Sequence, residues 1–459
     1  MPAAGFPPAF TKQMAALLST ELDNFEASLA TAPPVSIRVN PGKSAGLNHL
    51  PMDGPVPWHP DGRYLAERPS FTLDPLFHAG AYYVQEASSM FLYQALEQTT
   101  GPKRPLRILD LCAAPGGKTT LIASWMPAGS ILVANEVIRS RVPVLKQNLG
   151  RWGHPAVFTC NYDPEAFLPL AGWFDVVVVD APCSGEGLFR KNESASQEWS
   201  PENVLLCAAR QKRILQVAQK LVGPGGALIY STCTYNSSEN DQNADWLVRE
   251  KGMYANVLDI PAAWQIGERQ PGYQFYPHKV KGEGFYLAPL RQLEPIRSDL
   301  KARREFRKMS AIHKKEVSLL KDWIEAPDQY FFLKTKSGEV CHAPAELEPA
   351  LRLLDHALPA GVWLHETGQI KGSDFVPAHE LALEQEILRK EFPAVALDEQ
   401  QALQYLKKEL LSLPVAGRGW QKVTYGGLAL GWIRNLGNRF NNYFPTEQRI
   451  RMGLQVNDV

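Results

Sequence analysis

Between residues 106 and 292 the chain alternates short apolar runs with longer stretches whose apolar positions recur every three or four residues. The short runs read as buried strands and the longer stretches as amphipathic crossover helices. Strands are predicted over 106–111, 130–136, 156–163, 174–180, 226–232, 254–260 and 284–290. Helices are predicted over 118–126, 137–152, 201–222 and 238–251. The valine run Val176–Val179 has no polar interruption, as expected of a strand covered on both faces. Ser200-Pro201-Glu202 supplies an N-cap, a proline at the first helical position and an acid in the first turn. Pro224-Gly225-Gly226 stops that helix. Strand and helix in alternation predict an α/β fold built on a Rossmann-like, mostly parallel sheet.

The flanks have other textures. Residues 1–75 are rich in proline and turn residues and hold one strand-like stretch, 35–40. After the α/β segment comes a strongly basic stretch, 297–315, which charge alone assigns to a solvated linker or helix face. Residues 330–344 predict a hairpin around Lys336-Ser337-Gly338, and 361–383 a small β element followed by a helix. In the tail, Trp432, Arg434, Arg439, Tyr443 and Phe444 mix stacking surface with charge. The expected division is an N-terminal region 1–75, a central domain 76–292, a basic linker 293–316 and a first C-terminal domain 317–390. A last α+β domain occupies 391–459.

Composition adds mainly exclusions. With 45% hydrophobic and 21% charged residues the chain is an ordinary globular protein, and its zero net charge gives no global field for a polyanion. No apolar run approaches the ~20 residues of a membrane helix, and the start lacks the pattern of a signal peptide, so a cytoplasmic protein without membrane contact is expected. Six cysteines show no C-x-x-C spacing, so no metal site is expected and the thiols should be free. Cys160, Cys207 and Cys341 read as small core residues. A monomer is the default.

Two features carry chemistry. The first is the strand–loop–helix segment 107–125, with Cys112, Ala113, Ala114, Pro115, Gly116, Gly117 and Lys118 in its loop. A Walker A loop would need glycine where Cys112 stands, and no dinucleotide G-x-G-x-x-G is present. The remaining ligand of this loop type is S-adenosylmethionine (SAM), with Lys118 placed to pair with its carboxylate. Glu136 then falls where an acid meets ribose hydroxyls, and Asp163 where one meets the adenine edge. With Asp180, these acids line the carboxyl edge of one sheet, where open α/β sheets bind ligands.

The second feature is a pair of thiols, Cys183 and Cys233, each just beyond a strand that opens onto this same edge. Carbon 5 of a pyrimidine is a poor nucleophile. Thiolate addition at carbon 6 makes an enamine that can take a methyl group at carbon 5, after which a base removes the carbon 5 proton and the thiol leaves. Two cysteines could divide attack and release, with Asp180 at ring N3. Spacing leaves open which cysteine attacks.

The segments DLCAAPGGKT (110–119), DAPCSGEGLFRK (180–191) and YSTCTYNSSEN (230–240) together resemble the Nop/Sun family of RNA cytosine carbon-5 methyltransferases. SIRVN (36–40) and YYVQEASSM (82–90) resemble its N-terminal elements. PCSGEGLFRK and the tail GWIRNLGNRFNNYFP look most like a bacterial branch that acts on small-subunit ribosomal RNA. The resemblance implies Cys233 as nucleophile, Cys183 as the residue assisting release, and Cys112–Lys118, Glu136, Asp163 and Asp180 around SAM. It implies a PUA-like RNA-binding module in 391–459, and it gives the basic 297–315 stretch weight as a phosphate-contacting surface, with ribosomal RNA or the 30S subunit as partner. A tRNA methyltransferase with the same chemistry, or a non-catalytic ribosome-assembly factor, is the alternative.

Overall fold

The computed structural model describes residues 6–43, 46–100, 104–191, 193–293, 305–372, 374–384, 387–409 and 417–452. Its centre is a nine-stranded sheet. Along the sheet the order is Gly267–Arg269, Gly272–Phe275, Phe285–Gln292, Val222–Thr232, Phe174–Asp180, Arg107–Asp110, Ile131–Asn135 and Val157–Cys160, with Met253–Ala255 off this path, paired with the C-terminal end of Phe285–Gln292. The five strands from Val222–Thr232 to Val157–Cys160 are parallel; Phe285–Gln292 runs against them. Val176–Val179 are fully buried, as the uninterrupted run requires of a strand with helices on both faces. The helices Gly117–Trp125, Val142–Trp152, Pro201–Leu221 and Asp241–Lys251 are the crossovers. Ser200 caps the third of these through Asn203 N–H at 3.1 Å.

Several elements depart from expectation. The 254–260 strand is only Met253–Ala255, since the chain leaves the sheet at Asn256 and keeps one bond, Asn256 N–H to Pro289 O. A hairpin, Gly267–Arg269 with Gly272–Phe275, extends the sheet where no strand was predicted. The proline-rich start folds into two helices, Pro8–Leu18 and Leu22–Leu29, before a four-stranded sheet that runs through Tyr82–Val84. Pro8 takes the first helical position, where its missing N–H costs nothing, and Phe10, Met14 and Leu18 form the buried stripe.

Beyond the central sheet lie a five-stranded sheet (Ser310–Ala311, Tyr330–Lys334, Glu339–Pro344, His365–Lys371, Asp374–Pro377) and a four-stranded one (Ala394–Ala396, Gly419–Tyr425, Leu428–Asn435, Phe440–Asn442). Tyr330–Lys334 and Glu339–Pro344 form the expected hairpin. Residues 297–304 of the basic stretch lie outside the described residues; Lys308, Lys314 and Lys315 are exposed.

The two ends of the chain share a core. Ile37, Leu65, Leu76 and Tyr82 pack in one cluster with Leu397, Leu406, Val423, Leu430 and Phe444. The five-stranded sheet touches the edge of the central one through Trp363 N–H to Thr159 O at 2.8 Å. Trp432 and Phe444, expected to offer stacking surface, are buried; the Trp432 indole N–H donates to Ala378 O at 2.8 Å. No helix among the described residues is long and apolar enough to cross a membrane.

Candidate active site

At the carboxyl edge of the central sheet the strand ends fall in the order Cys233, Asp180, Asp110, Glu136, Asp163. Strand order reverses between Arg107–Asp110 and Phe174–Asp180, the switch point at which ligands enter doubly wound sheets. The loop after Asp110 turns there. Gly116 adopts φ +111°, a conformation that strains any residue with a Cβ, and caps the helix that Gly117 begins. The loop is fixed from outside: Ala113 N–H donates to Asn135 O at 2.8 Å, Arg141 Nη2 to Ala114 O at 2.6 Å and Asn148 Nδ2 to Pro115 O at 2.7 Å.

The predicted acids occupy different environments. Glu136 is buried and turns back on the loop, accepting from Ala114 N–H at 3.3 Å and Ile138 N–H at 2.8 Å, with Arg141 at 3.5 Å. Asp163 caps the 3-10 helix Pro164–Leu170 and pairs with both terminal nitrogens of Arg213 at 3.1 and 3.0 Å. That hydrogen bonding lowers its pKa despite some burial. Asp180 accepts from Ser231 Oγ at 2.8 Å and pairs with Lys118 at 2.8 Å. Lys118, expected to meet a ligand carboxylate, thus has a protein partner. Burial pulls its pKa down, but Asp180, by charge and hydrogen bond, outweighs that, with Cys233 and Asp110 adding to the upward shift. Cys112 is half-buried in the loop, and its pKa is raised, first by burial and then by the charge of Asp110.

Asp110 is buried. One oxygen accepts from Thr119 Oγ1 at 2.7 Å; the other has no partner among the described residues. Burial raises its pKa to about 7, with the charge of Asp180 adding to it. The folded state therefore holds this proton up to about pH 7, whereas the unfolded chain releases it near the ordinary value of 3.8. Its contribution to stability falls as pH rises through that window. Asp110→Asn should flatten this slope, so that the loss of urea midpoint between pH 4.5 and pH 7.5 is smaller in the variant than in the parent.

The two thiols converge. Asp180 and Ser231 are partners in the ladder of adjacent parallel strands, so the chain leaves the sheet side by side on both. Cys183 Sγ and Cys233 Sγ lie 3.0 Å apart and both residues are half-buried. The Cys183 thiol is raised well above its ordinary pKa, first by its hydrogen bond with Cys233 and then by burial. Cys160, Cys207 and Cys341 are buried, away from this contact. Among the described residues no group of acids, histidines and cysteines is arranged to hold a metal.

Two carboxylates in the site escaped sequence reasoning. Glu239 accepts from Ser184 N–H at 2.9 Å, Ser184 Oγ at 2.5 Å and Gln211 Nε2 at 2.8 Å. Glu186 accepts from Tyr235 N–H at 2.9 Å, Trp199 Nε1 at 3.0 Å and Gln13 Nε2 at 3.0 Å. Both are fully buried. The signal for them was their place inside the two cysteine motifs, Glu186 three residues after Cys183 and Glu239 six after Cys233.

The chain is similar to known proteins over most of its length. Residues 97–291 match the model of the 16S rRNA methyltransferase RsmB/F, residues 6–87 that of the N-terminal domain of 16S rRNA methyltransferase RsmF, and residues 392–450 that of its PUA domain. The ribosomal RNA small subunit methyltransferase F of Shewanella loihica is 30% identical over 453 residues, covering 93% of this chain and 91% of that protein. The chain belongs to the RsmB/F methyltransferase family.

Its relative from Erwinia tasmaniensis, also a ribosomal RNA small subunit methyltransferase F, is 37% identical over 310 residues; that match spans 63% of this chain and 64% of the relative. Among solved structures, a methyltransferase homolog protein from Pyrococcus horikoshii aligns with TM-score 0.55 and 26% identity, over 63% of this chain and 96% of that one. NSun6 from the same organism, solved with SFG, has the same fold at TM-score 0.54 and 22% identity, over 63% and 99% of the two chains. This RsmB/F family member therefore combines a Rossmann-like methyltransferase sheet with a PUA module.

Proposed function

We propose that this protein methylates carbon 5 of cytosine in 16S ribosomal RNA through a covalent adduct with Cys233. The observation that carries this reading is the 3.0 Å contact between Cys183 and Cys233 at the switch point. A methyltransferase acting on a heteroatom needs neither thiol. SAM suits the adjoining loop: Asp110 offers a buried oxygen without a partner among the described residues, Lys118 a largely buried ammonium, and Cys112–Lys118, Glu136 and Asp163 a continuous edge. It would supply an electrophilic methyl group.

The residues of the chain do the rest. Cys233 as thiolate adds to carbon 6, and the ring electrons shift to carbon 5. Addition makes N3 more basic, and the proton given up by Cys233 on ionising, shared between N3 and Asp180, stabilises the adduct. Once the sulfur of Cys233 is bonded to carbon, the hydrogen bond that most raises the Cys183 pKa is gone. Once carbon 5 carries the methyl group, Cys183 can release its proton to water, accept the one on carbon 5, and let the ring electrons expel Cys233 as thiolate. The target base must first leave its stack, which costs a few kcal/mol. RNA contacts elsewhere offset this, and the PUA module and the exposed lysines 308, 314 and 315 are the surfaces suited to them. The four sheets suggest N-terminal, methyltransferase and two C-terminal units with shifted bounds: the first sheet runs through Val84, past residue 75, and Ser310–Ala311, inside the 293–316 linker, joins the five-stranded sheet.

Bisulfite sequencing of RNA from cells lacking the protein tests the substrate. One or more 16S cytosines should lose protection and regain it on complementation; loss confined to tRNA would refute ribosomal RNA as the target. Reversing the charge of Lys308, Lys314 and Lys315 should weaken RNA binding and leave SAM affinity unchanged. The slope of log K against log salt should fall by about 0.7–0.9 for each phosphate no longer neutralised.

A further inference from the structure

We propose that Glu186 and Glu239 form a crossed clamp that sets the separation of the two thiols, making them positioning residues for both halves of the reaction. The proposal rests on the cysteine chemistry above.

The sheet cannot hold the thiols by itself. The last register pair between the two strands is Asp180 with Ser231, and the backbone ladder ends at Ala181 N–H to Ser231 O. Both cysteines lie beyond it. There each loop is tied by a carboxylate from the other. Glu239, from the Cys233 segment, takes both the N–H and the hydroxyl of Ser184, the residue after Cys183. Glu186, from the Cys183 segment, takes the N–H of Tyr235, two residues after Cys233. Between them Gly187 N–H donates to Cys233 O at 2.9 Å. A Cβ on Gly187 would meet Gly284 O at 2.5 Å and Cys233 O at 2.9 Å, so the loops touch backbone to backbone.

The clamp is itself anchored. Gln211, on helix Pro201–Leu221, donates to Glu239 at 2.8 Å and to Pro182 O at 3.1 Å. Gln13, on the N-terminal helix Pro8–Leu18, donates to Glu186 and accepts from Asn236 Nδ2 at 2.6 Å. Neither glutamate has a lysine or arginine partner among the described ion pairs. Burying two carboxylates on neutral donors is costly. What they join here is the pair of thiol-bearing loops.

The test uses the full-length protein and reads thiol separation without RNA. Diamide oxidises a close pair: one S–S bond forms, and both thiol hydrogens pass to its N=N bond. Closure between Cys183 and Cys233 is followed by peptide mass spectrometry. Glu239→Ala should slow closure about tenfold and single-turnover methylation about a hundredfold, as a displacement of about 1 Å at a reacting group can do, with SAM affinity unchanged. Glu239→Gln, which keeps an acceptor for Ser184, should recover most of both rates. If Glu239→Ala does not fold, Ser184→Ala removes one hydrogen bond from the other side and should slow closure severalfold. Parental closure rates in folded Glu239→Ala, or in Ser184→Ala, overturn the clamp. Methylation surviving in Cys233→Ala would instead sink the cysteine chemistry while leaving the closure result standing.

Discussion

Cys233→Ala should lose methyl transfer and covalent RNA adduct together, while Cys183→Ala should accumulate an adduct that survives denaturation. In the proposed mechanism the first variant removes the sulfur that makes carbon 5 nucleophilic, and loss of a nucleophile costs about four orders of magnitude or more. The second keeps that sulfur but removes its 3.0 Å neighbour, the group placed to serve elimination. Turnover then stops after methylation with the RNA still attached. Denaturing gels with labelled RNA and with labelled SAM separate the outcomes, since the trapped species carries both labels. An adduct formed by Cys233→Ala and absent from Cys183→Ala would exchange the two roles.

Asp180→Asn should lower the single-turnover rate about a thousandfold, the scale of removing a charged group from a reacting centre. Two losses combine. In the proposed mechanism ring N3 loses its proton-sharing partner, and Lys118, largely buried, loses the carboxylate at 2.8 Å that holds its pKa up against burial. Lys118→Met should also be impaired. Because the two side chains form one unit, the double variant should fall well short of the product of the single effects. Rapid-quench measurement at saturating SAM gives the rates, and calorimetry separates any loss of SAM binding. Multiplicative effects would mean that the pair acts as two independent groups.

The central sheet was legible because its signals are local. Val176–Val179 could hardly be other than an interior strand, and the acids and cysteines followed strand ends in sequence, so strand order placed them on one edge. What was missed depends on contacts across the chain or on which face turns inward. Glu239 meets Ser184 across 55 residues, and Gln13 meets Glu186 across 173; no periodicity records such a tie. Prolines obscured the Pro8–Leu18 helix, although its apolar spacing was present and Pro8 sits where a helix tolerates it. In the tail, Trp432 and Phe444 turned inward while Arg439 stayed exposed, a choice fixed by what packs on that sheet rather than by the tail's own composition.

The core that joins Ile37 and Leu76 to Val423 and Phe444 makes beginning and end of the polypeptide mutually dependent. During synthesis the opening β-sheet must wait, one apolar side bare, until the closing segment has left the ribosome. Contacts of such long sequence separation are slow to form and prone to aggregation while unmade. Truncation from the carboxyl end would therefore strip the amino-terminal sheet of its cover as well as removing an RNA-binding module.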